Sequence, residues 1–251
     1  MREFQPDISI VIPAFNEERR LPPTLERIRE YLALRHWSAE VIVVDDGSSD
    51  GTARVVDEWK AQFPCLLLLQ NGRNRGKGYS VKQGMLAARG KLALFTDADL
   101  STPIEEADKL LAVLRGGDYQ VAIGSRAVDR RNILVRQSRF REVAGIIFNR
   151  IVQLISGVRF VDTQCGFKAF DRAAMLPVFA QQRTEGFGFD PEILFLAKKR
   201  GLKMIEMTVL WAHNADTRVR MVRDSLRMLV ELASIRWNWL LGRYHAGTPR
   251  Q

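Results

Sequence analysis

Cysteine and histidine are scarce: two and three residues respectively in a chain of 251. Cys65 lies in an apolar run and Cys165 in a turn-like motif, without metal-ligand spacing, so a reduced, cytosolic setting is expected. His36, His213 and His245 are far apart and show no zinc-type spacing. Also missing is a Gly-x-Gly-x-x-Gly after the first apolar run, the mark of a dinucleotide site. No window reaches about 18 uncharged apolar residues, and no apolar stretch near the N-terminus precedes a small-residue cleavage site. The chain is therefore expected neither to span a membrane nor to be exported by that route. Internal repeats, low-complexity tracts and linkers rich in Pro, Gly or Ser are absent too, which favours one compact domain with appendages.

A hydrophobic fraction of 46% with 27% charged residues excludes global disorder. The net charge of +9 belongs to one half: from Arg126 onward 22 Lys and Arg face 11 Asp and Glu, and the preceding residues are slightly acidic. Such asymmetry suits a phosphate-bearing partner, whether nucleic acid, anionic lipid or a phosphorylated substrate. Nucleic acid is the least favoured of these, since the basic half lacks an interleaved aromatic platform.

Short apolar, often β-branched runs at 8–12, 40–44, 66–69, 91–95 and 120–123 alternate with helical periodicity over 17–35, 52–63, 78–88 and 104–114. This alternation predicts an α/β fold with a mostly parallel sheet flanked by helices. Ligands of such sheets bind outside the carboxyl ends of the strands. Four polar clusters follow those ends: Pro13-Ala14-Phe15-Asn16-Glu17, Asp45-Asp46-Gly47-Ser48, Asn74 to Gly78, and Asp97-Ala98-Asp99. Beyond Arg126 the segments turn basic and amphipathic, and they are expected to build an acceptor side onto the same sheet.

Each cluster has a plain alternative. Strand alternation puts Asp97 and Asp99 on one side, where two carboxylates suit an oxygen-preferring Mg²⁺ or Mn²⁺; they could equally cap the next helix. Asp45 and Asp46 could accept from a nucleobase or ribose, or merely shape an Asx-rich turn. The glycines of 73–78 allow close backbone approach and Lys77 adds charge, as a phosphate loop would. That loop is not a Walker A sequence, because Gly78 stands where Ser or Thr is required, so an ATPase is disfavoured.

The ordered set PAFNE, VVDDGSSDGT, NRGKG, FTDADLS, GSR and DTQCGFK resembles the inverting family 2 glycosyltransferases of GT-A fold, over roughly residues 8–225. Within them the chain is similar to the dolichyl-phosphate β-glucosyltransferase and polyprenyl-phosphate glycosyltransferase subgroup. The resemblance implies a nucleotide site at Pro13, Phe15, Glu17, Asp46, Lys77 and Asp97, with Asp97 and Asp99 holding Mg²⁺ or Mn²⁺. It implies an acceptor-phosphate site at Ser125, Arg126 and Arg141, with Asp162 positioning the acceptor or acting as base. Mannose synthases of the family carry Gln two residues after the DxD; Ser101 stands there, which leans away from GDP-mannose and toward UDP-glucose. A donor half over 1–124, an acceptor half over 125–225 and an amphipathic helix and tail over 226–251 are expected. Two stripes at helical spacing, one from Phe140 to Val158 and one from Leu226 to Leu241, read either as interfacial helices or as helices packed on the sheet. The interfacial reading implies a peripheral protein at the cytoplasmic face of a membrane. Other donors, a non-lipid acceptor and a non-catalytic nucleotide- or membrane-binding protein are the rival readings.

Overall fold

The computed structural model describes residues 5–126, 150, 152–153, 157–212 and 221–244. Seven strands, β1 (Ile8–Ala14), β2 (Ala39–Asp45), β3 (Leu66–Gln70), β4 (Leu92–Thr96), β5 (Val121–Ser125), β6 (Phe167–Asp171) and β7 (Met204–Thr208), form one sheet. Their order is β3-β2-β1-β4-β6-β5-β7. Every pairing is parallel except the two made by β6, which runs against β4 and β5. The mostly parallel α/β reading holds, and β5 to β7 continue the sheet of β1 to β4.

Seven α-helices are described: α1 (Leu21–Arg35), α2 (Thr52–Trp59), α3 (Lys77–Ala87), α4 (Ala107–Arg115), α5 (Arg172–Gln181), α6 (Phe189–Lys199) and α7 (Met221–Leu240). One core lies under α1, α2 and α4, built on Ile8, Ile10 and Ile12; the opposite core, around Val11, Ile42 and Phe95, lies under α3, α5, α6 and α7. Strands buried on both faces need apolar side chains in both directions, hence the continuous runs of Ile and Val instead of alternation. The first helix begins at Leu21 and not at 17. Its Pro22-Pro23 pair lacks the N–H groups of a helix interior and fits only the first turn, so 17–20 close a separate turn onto the Glu17 carbonyl.

The strand β6 was not anticipated by the sequence pattern, because Lys168 interrupts the apolar run of Phe167, Ala169 and Phe170. The lysine is nonetheless fully buried. The division expected at 225/226 falls inside α7, whose Met228, Leu232 and Ile235 are buried.

Helix α3 seats on the sheet through Gly84. A methyl there would collide with Val11 Cγ1 and approach Val44 Cγ2 to 3.0 Å. Replacing Gly by Ala inside a helix ordinarily gains up to about 1 kcal/mol, whereas overpacking costs about 1–3 kcal/mol. Because the Val11 methyl belongs to a core strand, the clash should win: Gly84→Ala should lower the urea midpoint at unchanged slope. A raised midpoint would show that α3 can lift off β1 freely.

Candidate active site

The ends of β1, β2 and β4 bring the first group of residues together. Asn16 adopts a left-handed conformation (φ 56°), and its backbone N–H donates to Ser48 Oγ at 2.8 Å while its Oδ1 accepts from Ser49 N at 2.8 Å. Glu17 N donates to Thr52 Oγ1, so the turn after β1 is laced to the turn after β2. Pro13 is the penultimate residue of β1, Phe15 just beyond it is 39% exposed, and the Glu17 carboxylate is gripped by Arg20. Asp46 is buried, and its carboxylate accepts from Asn71 Nδ2 (2.8 Å), Arg75 N (3.0 Å) and Gly76 N (2.8 Å). It therefore anchors the 73–78 loop from beneath.

The glycines of that loop serve a close approach, but of protein to protein. A methyl at Gly76 would overlap the Glu185 carbonyl, and one at Gly78 would crowd the carbonyls of Thr184 and Gly186. Lys77 reaches the rim and holds Asp97 Oδ1 at 2.6 Å. Burial disfavours its charge, but Asp97 and Asp190 outweigh that and raise its pKa.

Asp97 and Asp99 are both partly exposed at the end of β4. Asp99 Oδ1 accepts from Ser101 N at 3.0 Å, which is the turn-capping role, while its Oδ2 lies 4.0 Å from Arg20. Leu100 between them and the helix is left-handed (φ 44°), a strained position for a branched apolar residue and of the kind found at functional sites. No group of three or more His, Cys, Asp or Glu converges into a metal cluster among the described residues. Two hard carboxylates fit Mg²⁺ or Mn²⁺ only if other oxygens complete the shell, as a diphosphate would provide.

The acceptor-side residues meet at the end of β5. Arg126 forms a bidentate fork on Asp162, Nε to Oδ2 at 2.6 Å and Nη2 to Oδ1 at 2.7 Å, and its backbone N–H adds a third bond to Oδ2 at 3.0 Å. Burial opposes ionisation of Asp162, yet the Arg126 guanidinium beside it holds its pKa below the usual range. The same pairing raises Arg126 against its own burial. Nη1 lies outside the fork, and the guanidinium sits 5.5 Å from the Trp211 ring centroid. Ser125 is buried, and among the described residues its hydroxyl has no hydrogen-bond partner. Arg141 lies outside the described residues.

Sequence reasoning passed over several contributors. Glu206 on β7 accepts from the backbone N–H groups of Val161 and Asp162, at 2.8 and 2.7 Å, and so sets the approach of the Asp162 segment. Lys168 and Asp190 form a buried pair beside the site. A lysine within an apolar strand and an aspartate in the helix Phe189-Asp190-Pro191-Glu192-Ile193 were the available signals, since buried charges must find partners.

The profile of Glycosyl transferase family 2 matches residues 9–177. The chain is 34% identical over 266 residues to a dolichyl-phosphate beta-glucosyltransferase of Saccharomyces cerevisiae, covering 97% of this chain and 79% of that one. It is 32% identical over 258 residues to the Homo sapiens protein of the same name, with the same two coverages. A relative so named from Trichomonas vaginalis is 34% identical over 238 residues, 91% of this chain and 72% of its own. Glucosyl-3-phosphoglycerate synthase from Mycobacterium tuberculosis, solved with Mn²⁺, UDP-glucose and phosphoglyceric acid, superposes with a TM-score of 0.66 at 20% identity. The match covers 92% of this chain and 79% of that one. That likeness bears out the GT-A architecture, and the family profile with the relatives' coverage decides the rest: the chain belongs to glycosyl transferase family 2.

Proposed function

We propose that the chain transfers glucose from UDP-glucose, with inversion, to a dolichyl or other polyprenyl phosphate. The observation that carries this reading is the meeting of two unlike sites at one rim. Asp97, Asp99 and Lys77 stand at the end of β4, and the Arg126–Asp162 fork stands two strands away, at the end of β5. The names and extents of the relatives at 32–34% identity support the choice of donor and acceptor.

Pro13, Phe15 and Glu17 would border the nucleotide, with Asp46 shaping its loop from below. Lys77 exchanges Asp97 for the donor's phosphates, a cation trading one anion for another at little electrostatic loss. Held by Asp97 and Asp99, Mg²⁺ or Mn²⁺ would neutralise charge on the departing diphosphate. Arg126, joined by Arg141, would bind the acceptor phosphate; its exposed edge suits this better than the buried hydroxyl of Ser125. The phosphate is ionised near neutral pH, its second pKa being about 6, so it needs orientation more than deprotonation. Asp162 is then the residue that aims Arg126, with both carboxylate oxygens already committed.

The membrane surface fits α7. Val230, Trp237, Leu240 and Leu241 are 71%, 61%, 77% and 50% exposed along one stripe, with Arg236 and Arg243 exposed beside them. Exposed apolar side chains flanked by arginines suit the boundary of an anionic bilayer. Among the described residues no helix is long and apolar enough to cross it. The two free cysteines fit the cytoplasmic, reducing side.

Three outcomes are expected. In a panel of nucleotide sugars with polyprenyl phosphate and Mn²⁺ or Mg²⁺, UDP-glucose should yield a β-linked glucosyl phospholipid by mass and anomeric NMR. A different donor, or no lipid product, would defeat the assignment. Next, Asp162→Asn should slow transfer by about 10- to 100-fold, the loss of a charged hydrogen bond of about 1.5–3 kcal/mol. Because Arg126 keeps Asp162 ionised well below neutrality, the acidic limb of the pH–rate profile should remain in this variant near the phosphate pKa of about 6. Disappearance of that limb would make Asp162 the base. Finally, the chain should sediment with anionic vesicles at low salt and release at high salt, and Trp237→Ser with Leu240→Ser should weaken the binding. Undiminished sedimentation would move the lipid contact away from α7.

A further inference from the structure

Lys168 is buried completely, on the strand between Phe95 of β4 and Ile123 of β5. Its ammonium donates to Asp190 Oδ1 at 2.5 Å and to the Cys165 carbonyl at 2.6 Å. Asp190 belongs to the first turn of α6, where the helix dipole favours a carboxylate. Desolvating such a pair costs several kcal/mol per ion, and apolar residues of like volume often serve stability as well or better. The pair therefore calls for a use other than stability.

Its use is visible in what it holds. The turn 162–166 begins with Asp162, which forks onto Arg126, and ends with Gly166, where any methyl would overlap the Asp97 carboxylate. Glu206 fastens the start of this turn through the backbone of 161–162, and Lys168 fastens its end through the Cys165 carbonyl. Cys165, inside the turn, is buried as well.

We propose that Lys168 and Asp190 are a positioning pair: they pin the 162–166 turn so that Asp97 on the donor side and Arg126 on the acceptor side keep their separation. The assignment of sides rests on the function proposed above. Since one turn touches both, disturbing the pair should move donor-side and acceptor-side behaviour together.

The test uses a Cys65→Ser background, which leaves Cys165 as the sole cysteine of the chain. Lys168→Met with Asp190→Leu replaces the ions by apolar side chains, and its melting temperature should stay within about 5 °C of the parent. A maleimide should label Cys165 at least roughly 10-fold faster, because the turn now opens locally. The Mn²⁺ requirement and the KM for polyprenyl phosphate should both rise, each on the order of 10-fold. Lys168→Gln with Asp190→Asn keeps an N–H donor toward the Cys165 carbonyl at shorter reach, so it should fall between the parent and the apolar pair. It carries the test if the apolar pair does not fold. A folded variant with Cys165 as protected as in the parent, or with only one of the two kinetic quantities changed, overturns the proposal. If the parent itself shows no transfer from UDP-glucose, the labelling arm still decides the pinning, and the failure belongs to the functional reading.

Discussion

One strand running against six others brings the two halves of the site together. In a parallel sheet the strand ends on the ligand side are all carboxyl ends, and the loop leaving each strand supplies the site. Reversing β6 between β4 and β5 sends its amino end to that same side, so the residues preceding β6 enter the rim as well. Asp162 is thereby set against Arg126 at the end of β5, and Gly166 against Asp97 at the end of β4. Had β6 been parallel, 162–166 would lie at the opposite edge of the sheet and Arg126 would face the rim without its carboxylate.

Charge pairing then separates residues that are committed to the protein from those that are more exposed. Asp162 is committed to Arg126 by three hydrogen bonds, and Asp46 is committed to loop 73–78 and Asn71 by three more. Lys77, by contrast, makes its ion pair among the described residues with Asp97, and both side chains are partly exposed. Fixed pairs supply geometry, and the exposed pair is the one that would exchange partners in the transfer proposed above. Such a division suits a site whose acceleration comes from alignment and electrostatics and not from a covalent intermediate.

Much of this was legible in the sequence, for a physical reason. The runs that became β1, β2 and β4 are buried on both faces and therefore continuously apolar, and the polar clusters come directly after them. Their positions could be read from local pattern alone. The strands β6 and β7 carry Lys168 and Glu206, whose charges make sense only with partners more than 20 residues away. Local periodicity holds no record of such pairs. The same limit explains loop 73–78: its glycines do permit a close approach, yet the approaching chain is 184–186, which no nearby residue announces.

That segment also joins α7 to loop 73–78. Glu231 of α7 accepts from Gly188 N at 2.8 Å, and Glu192 of α6 accepts from Arg183 N, Thr184 N and the Tyr244 hydroxyl. From there Glu185 accepts Tyr79 N on its carbonyl at 3.1 Å and pairs its carboxylate with Arg75, while Gln182 donates to the Gly78 carbonyl at 2.8 Å. The inner face of α7 is thus tied through 182–188 to the start of α3, where Lys77 stands. On the function proposed above, the helix facing the lipid and the loop facing the nucleotide would be parts of one hydrogen-bonded unit, so seating one would constrain the other.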